Sequence, residues 1–428
     1  MVGQETRMLR PPDHARRVGI TGLGVVSPVG NDKETVWRNL LEGVSGIAEI
    51  SRFDASPYEH RAAGEVRGFD PSVWMNPKAA RRTDRLVQFA VAVAKQALLD
   101  AGLEITEENA CDVGVMFGSG GGGTELLIKN LDRFRNGGPR AVSPFFMANF
   151  LCDAAAGVIS IETGARGINL AIASACGTGT VAIGEAAAAI RRGDCTAIIA
   201  GGGENDILEL AHVGFENMRA LGSPRPGEAI ATVSRPFDRT RNGFVLSEGA
   251  AAVIVEDIES AQARGARIYA EVVGYGATAD ACDQIVPALM GEGSARAMGI
   301  AIARASIEPD QIDTINAHGT STALGDKRES EAIWSVFGAR TPEILVTATK
   351  SMSGHMMSAC GTFEAIATVL SLHTGLLPGT INYRDPDPEC NLSISTETRR
   401  AAFRHALSNS IGLGGRNSAL VFRRYDGN

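Results

Sequence analysis

No two of the seven cysteines (111, 152, 176, 195, 282, 360 and 390) form a Cys-x-x-Cys pair, and their number is odd. Such scatter argues against a disulfide framework and gives no metal-ligand spacing, so a reducing, cytoplasmic setting without a bound metal is expected. Long uninterrupted apolar runs are also missing. The stretch 181–190 is broken by Glu185 and stopped by Arg191 and Arg192, so no membrane span is expected. Residues 1–15 are polar and basic, lack the apolar core of a secretory signal, and read as a flexible tail. Positive charge is in deficit, with 41 Lys and Arg against 49 Asp and Glu, which argues against nucleic acid as a partner. The glycine run 118–123 lacks both a Gly-Lys-Ser/Thr ending and a dinucleotide fingerprint. A nucleotide site is therefore rejected, and backbone lining a narrow pocket is expected instead.

What the chain does have is a large core and punctuation for many turns: 428 residues, 44% apolar, with 50 glycines. Short apolar segments at 17–26, 113–117, 196–203, 250–256, 264–276, 312–317 and 345–349 alternate with helical patterns at 31–41 and 78–102. This alternation predicts an α/β architecture with mostly parallel strands and chemistry in the loops at strand ends.

The most informative stretch is 168–189. An apolar run predicts a buried strand, and Ser174-Ala175-Cys176-Gly177-Thr178-Gly179 then leads into an alanine-rich helix. Cys176 is thereby placed at a helix N-terminus, where unpaired N–H groups and the helix dipole are expected to lower its pKa. The run alone fits either a nucleophile or an inert packed cysteine. Residues 174–178 recur as Ser358-Ala359-Cys360-Gly361-Thr362, which suggests two similar halves, 16–258 and 259–428. That repeat makes Cys360 a rival nucleophile, although burial in a helix contact suits it better. Two further strand ends carry histidines, His318 in His-Gly-Thr-Ser-Thr and His355 in Lys-Ser-Met-Ser-Gly-His. One cysteine with two histidines suits thioester chemistry, in which two imidazole N–H donors hold an oxyanion as a malonyl group loses carbon dioxide.

These residues resemble the β-ketoacyl-[acyl-carrier-protein] synthases of the elongating kind, in the thiolase-like superfamily. Type II is most similar, although Asp280 and Asp283 stand in a loop with type I character. The match runs from about Arg17 to Arg423. It includes 22–30, Ser-Pro-Phe-Phe at 143–146, the cysteine loop, 235–238, 243–249, Asn-Ala-His-Gly-Thr-Ser-Thr at 316–322, Thr-Lys-Ser-Met-Ser-Gly-His at 349–355, and 408–417. The resemblance implies a five-layered αβαβα fold of two duplicated halves, assembled as a homodimer. The implied activity is decarboxylative condensation of acyl- and malonyl-[acyl-carrier-protein] in fatty acid elongation. No cofactor is implied beyond the phosphopantetheine that arrives on the carrier protein.

By the same resemblance, Cys176 takes the acyl chain, with the N–H groups of Cys176 and Leu413 as oxyanion hole. His318 and His355 bind the malonyl thioester oxygen, supported by Lys350 and Glu329, with Glu364 and Asp326 as further buried acids. Thr320, Thr322 and Asn417 line the phosphopantetheine tunnel. Gly121, Phe146 and Phe215 shape the acyl channel, with Gly121 at its floor. Lys78, Arg81, Arg82, Arg140 and Arg219 form a basic rim for an acidic carrier protein.

Three departures from the family pattern concern substrate choice. Leu413 replaces a gating phenylalanine, Arg416 replaces threonine or histidine, and Gly121 replaces a bulkier aliphatic residue, which widens the channel. Leu413 and Gly121 leave room for a ketosynthase of a specialised polyketide or unusual-lipid pathway. A non-catalytic chain-length partner subunit is disfavoured because Cys176 and both histidines are intact. A degradative thiolase would need a cysteine within 413–417, and an initiating synthase would carry asparagine in place of His355.

Overall fold

The computed structural model describes residues 16–427, so the tail expected at 1–15 lies outside the described residues. All nine residues of β1 (Val18–Val26) are buried, as expected of a strand covered on both faces. The other strands of the main sheet are β2 (Val113–Gly118), β3 (Asn169–Leu170), β4 (Ala197–Glu204), β5 (Gly249–Asp257), β6 (Ala270–Ala279), β7 (Thr314–Asn316), β8 (Leu345–Thr347), β9 (Ser393–Ile394), β10 (His405–Gly412) and β11 (Arg416–Arg424). They lie in the order β9-β8-β7-β10-β11-β6-β1-β5-β4-β2-β3.

The strand order exposes the duplication. Sequential strands β1, β2, β3, β4 and β5 are arranged as β1-β5-β4-β2-β3, and β6, β7, β8, β10 and β11 are arranged identically as β6-β11-β10-β7-β8. In each half the first two neighbour pairs are antiparallel and the last two parallel. The expectation of mostly parallel strands is therefore corrected to a mixed sheet. Periodicity reports that a segment is a strand but not which neighbour it meets.

Six helices complete the layers: α1 (Arg85–Ala101), α2 (Ala154–Thr163), α3 (Thr178–Arg192), α4 (Glu292–Arg304), α5 (Ala323–Phe337) and α6 (Cys360–Thr374). α1 and α2 cover the outer face of the first half, α4 covers that of the second with α5 beside it, and α3 and α6 pack against each other and against strands of both halves. Close approach of helix to strand is achieved the same way twice. A Cβ on Gly22 or Gly24 of β1 would lie 2.1 or 2.0 Å from the carbonyl oxygens of Ala97 and Val93. On β6, Gly274 and Gly276 stand at 2.0 and 2.1 Å from those of Ala301 and Ala297.

The helix expected over 78–102 is interrupted. A short turn, Pro77–Ala80, ends before Asp84, whose carboxylate accepts the Leu86 N–H at 3.0 Å and starts α1 afresh. The strand expected before Cys176 is likewise only Asn169–Leu170, an exposed edge rather than a buried strand.

The pentapeptide repeat is displaced from the structural one by two residues. α3 starts at Thr178 and α6 at Cys360, and the residues three before them, Ala175 and Met357, both have left-handed φ, 47° and 44°. This register pairs Gly179-Thr180 with Gly361-Thr362. A Cβ on Gly179 would lie 2.4 Å from Thr362 Oγ1 and 2.6 Å from its nitrogen, and one on Gly361 would lie 2.3 and 2.5 Å from the same atoms of Thr180. The counterpart of Cys176 is thus Ser358, and Cys360 is not a second nucleophile position. Gly179→Ala and Gly361→Ala should each destabilise the protein by about 1–3 kcal/mol through overpacking of this reciprocal contact. Denaturant midpoints of the two variants measure this, and unchanged midpoints would contradict the crossing described.

Candidate active site

Cys176 sits in the turn between Ala175 and Gly177, just ahead of α3, and the left-handed Ala175 makes that turn sharp. Its sulfur lies 3.1 Å from His355 Nε2. His355 follows the short helix Lys350–Ser353, and its backbone is tied at N–H to the Val245 carbonyl and at C=O to the Ser247 N–H. His318 follows β7, and its ring stands at 85° to that of His355 with centroids 5.3 Å apart. Phe244 meets the His355 ring edge-on at 5.3 Å, and Phe215 meets Phe244 in the same way. Cys176, His318 and His355 are all buried and open on one cavity of about 360 Å³.

A polar network behind the histidines sets their chemistry. The buried Lys350 ammonium donates to the His318 carbonyl at 2.6 Å, to His318 Nδ1 at 3.3 Å, and to Glu364. Burial opposes the charge on Lys350, but the Glu364 carboxylate outweighs it and raises the pKa above the ordinary lysine value. An ammonium has no acceptor to offer, so His318 Nδ1 must present a lone pair and Nε2 must carry the hydrogen. Glu329 accepts the His318 and Gly319 N–H groups at 2.7 and 2.8 Å and the Asn409 amide at 2.8 Å, which fixes the backbone of the His318 loop. Asp326 accepts the N–H groups of Phe237 and Ser321, and burial pushes its carboxyl up to about 7 against the pull of Arg241. Burial likewise pushes Glu364 to about 7, restrained by Lys350. Burial, with Lys350 nearby, holds both His318 and His355 well below the ordinary histidine value, so the imidazoles are neutral.

The expected lowering of the Cys176 pKa is overturned. Burial pushes the thiol up to about 11, against the Leu413 and Cys176 backbone N–H groups and the Lys350 charge, which pull it down. Desolvation of the anion exceeds what those donors return.

Thr320, Thr322, Phe215, Glu329, Leu413 and Arg219 line the cavity with Cys176, His318 and His355. Gly121, Phe146, Asn417, Lys78, Arg81, Arg82 and Arg140 do not, and Lys350 stands behind His318. The glycine turn folds back on Glu204, which accepts the Ser119 hydroxyl and the Gly120 and Gly121 N–H groups. A Cβ on Gly121 would point toward Asp206 Oδ1 at 3.2 Å rather than into the cavity. Phe146 stacks on Phe150 at 5.3 Å, and Asn417 donates to Asp280, which is itself a lining residue. Lys78, Arg81, Arg82 and Arg140 are exposed, with Arg82 over the Phe145 ring, whereas Arg85 is consumed by Glu248. Arg416 donates to the Leu413 carbonyl at 2.9 Å and braces the loop that carries Leu413. Sequence reasoning missed Phe244, Asn409 and the contact of Cys360 with His355, for which the five-residue spacing from His355 was the one available signal.

The five layers and the duplicated strand order are those of the thiolase-like proteins. Within that class the assignment is sharper. The family described as beta-ketoacyl synthase matches residues 15–261 with its N-terminal domain and 269–384 with its C-terminal domain, and the chain belongs to this family. The chain is 46% identical over 412 residues to 3-oxoacyl-[acyl-carrier-protein] synthase 2 of Staphylococcus aureus (strain COL), covering 96% of this chain and 99% of the relative. It is 45% identical over 410 residues to the protein of the same name from Coxiella burnetii, with coverage of 96% and 99%. Among solved structures, the ishigamide ketosynthase/chain length factor superposes with a TM-score of 0.89 at 34% identity, covering 96% and 99%. A type II polyketide ketosynthase in complex with its acyl-carrier protein superposes with a TM-score of 0.88 at 30% identity, covering 96% and 100%.

Because burial pushes the Cys176 thiol up to about 11, its alkylation rate should climb about tenfold per pH unit between pH 7 and 9. Peptide mass spectrometry after iodoacetamide pulses separates Cys176 from the exposed Cys111, Cys152 and Cys282. A rate that levels off below pH 8 would show a thiolate stabilised beyond what burial allows.

Proposed function

We propose that the protein catalyses decarboxylative Claisen condensation of acyl-[acyl-carrier-protein] with malonyl-[acyl-carrier-protein] in fatty acid chain elongation. The observation that carries this is a single cavity holding one nucleophilic sulfur and two neutral imidazoles. The Cys176 sulfur attacks the acyl thioester carbonyl, the Cys176 and Leu413 N–H groups hold the oxyanion, and the carrier thiol departs with the proton that Cys176 loses. The malonyl C–CO₂⁻ bond then breaks and its electron pair forms an enolate, whose oxygen accepts from Nε2–H of His318 and His355. Carbon dioxide leaves, the α-carbon attacks the acyl-Cys176 carbonyl, the C–S bond breaks, and the released thiolate takes a proton from solvent. Lys350 and Glu329 act as positioning residues, through His318 Nδ1 and the His318 backbone. Thr320, Thr322 and Phe215 contact the phosphopantetheine and acyl parts of the substrate.

The likeness to polyketide ketosynthases favours a second reading, a specialised polyketide or unusual-lipid ketosynthase, to which Leu413 in place of a bulky gate also points. Higher identity to the 3-oxoacyl synthases keeps fatty acid elongation first. Gly121 and Phe146 remain proposed contacts of a long acyl chain that reaches past the cavity. Exposed apolar side chains on one run of the first half, Leu127, Leu131, Phe134, Phe145, Met147 and Leu151, support a homodimer, with the open edge β3 and exposed Leu170 in the same half. Arg219 at the cavity, with the exposed Lys78, Arg81, Arg82 and Arg140, is proposed to receive an acidic carrier protein. The seven unpaired cysteines are in keeping with the cytoplasm, and among the described residues no helix is long and apolar enough to cross a membrane. The two duplicated halves are proposed to divide between residues 258 and 259.

Cys176→Ala should abolish acyl loading in intact mass spectrometry while leaving the protein folded, and persistent loading would place the nucleophile elsewhere. A panel of acyl-carrier proteins of graded chain length, run on the unaltered protein, separates the two pathway readings. Arg219→Glu should raise KM for carrier-linked acyl substrate with little change in kcat, more so at low salt. An unchanged KM would remove Arg219 from the docking surface.

A further inference from the structure

Both ring nitrogens of His355 meet sulfur: Nε2 lies 3.1 Å from Cys176 Sγ and Nδ1 lies 3.2 Å from Cys360 Sγ. Cys360 is the first residue of α6 and is 1% exposed. Its sulfur accepts the Met356 N–H at 3.1 Å. Among the described residues the only acceptor within reach of its S–H is His355 Nδ1. Burial raises the Cys360 pKa well above the ordinary thiol value, so the S–H proton stays in place.

His318 offers the parallel. Lys350 donates to its Nδ1 and thereby leaves the hydrogen on Nε2, facing the cavity. Among the described residues no lysine donates to His355. We propose that Cys360 is the positioning residue of His355, donating S–H to Nδ1 so that Nε2 carries the hydrogen offered to the thioester oxygen. The two imidazoles then present matched Nε2–H donors through different means, an ammonium behind one and a thiol behind the other. No bond other than hydrogen bonds changes, and Cys360 keeps its proton through the cycle. At rest the same Nε2–H points at the Cys176 sulfur, and after acylation it is free for the incoming thioester. The helix crossing explains why a cysteine can serve here. Cys360 begins the helix that meets α3 at Gly361, so its backbone is fixed beside the His355 loop and its sulfur stands within reach of both His355 Nδ1 and the Met356 N–H.

This inference rests on the condensation reading, and its test separates the two. In full-length protein labelled with ¹⁵N-histidine, the His355 signals are identified by their loss in His355→Asn. The expected wild-type pattern is a protonated Nε2 and a bare Nδ1. Cys360→Ala should shift both nitrogens toward tautomer-averaged values and lower kcat for carbon dioxide release from malonyl-carrier protein about tenfold, with KM unchanged, as loss of one hydrogen bond implies. Cys360→Ser, which keeps a donor, should restore both the pattern and the rate. A wild-type Nδ1–H tautomer would overturn the proposal, as would a folded Cys360→Ala protein with unaltered tautomer and kcat, or a folded serine variant that restores neither. If the alanine variant does not fold, the wild-type spectrum and the serine variant decide. A wild-type protein that releases no carbon dioxide would overturn the condensation reading and leave the tautomer measurement standing.

Discussion

The site depends on the crossing of α3 and α6 at Gly179 and Gly361. Each glycine faces the threonine that follows its counterpart, at separations no side-chain carbon could share. Because both helices start at this crossing, the turn before α3 and the segment before α6 are forced together. The first carries Cys176 and the second carries His355 and Ser358. Ser358 reaches from the second half into the first, donating to Glu204 at 2.6 Å and receiving the Gly120 N–H at 2.8 Å. Duplication thus does chemical service: one copy of the strand-turn-helix unit presents a sulfur, and the other, at the equivalent turn, presents a serine that braces the first.

Burial is the second constraint, and it acts on every ionisable group of the site. It neutralises His318 and His355, raises the Cys176 thiol, and lifts Asp326 and Glu364 to about 7. Lys350 escapes neutralisation because all three of its protons have acceptors, one of them anionic. Buried charge of this kind is tolerated when paired and hydrogen-bonded, and removing one partner typically costs about 3–5 kcal/mol. The linkage sign follows. A carboxyl whose folded pKa is raised weakens the fold as pH climbs from the unfolded value near 4 toward 7. Asp326 and Glu364 therefore favour the folded protein most on the acidic side of that window.

Much of this was legible in the sequence because the signals are local. The start of β1, the helix N-terminus after Cys176, and the histidine-bearing segments that follow β7 and β8 all follow from apolar runs ended by small residues. Strand direction was not legible, since an apolar run looks the same whichever neighbour it pairs with. The segment before Cys176 reads as buried but pairs only at Asn169–Leu170 and lies open. The repeat misled by two residues because Ser, Ala, Cys and Gly are all acceptable at a crowded crossing, and only the left-handed Ala175 and Met357 fix the true register. The pKa of Cys176 was misjudged because a helix terminus is visible in sequence and the depth of burial is not.

That misjudged pKa suits the chemistry better than the expected one. An oxyanion at a malonyl thioester is best held by neutral donors that gain strength as negative charge moves onto oxygen. A cation exposed beside it would also grip the malonyl carboxylate and oppose the loss of carbon dioxide. Here the one buried ammonium next to the histidines spends its three protons on His318 and Glu364 and offers none to the cavity. Its charge is felt through His318, as a fixed tautomer and a lowered basicity, rather than by direct contact with substrate. The same desolvation that keeps the imidazoles neutral keeps the resting sulfur protonated. In the proposed reaction that sulfur's charge passes onto the incoming thioester, whose oxygen the Leu413 and Cys176 N–H groups are proposed to hold. A neutral resting site and a charge-accepting reacting one are two consequences of the same buried geometry.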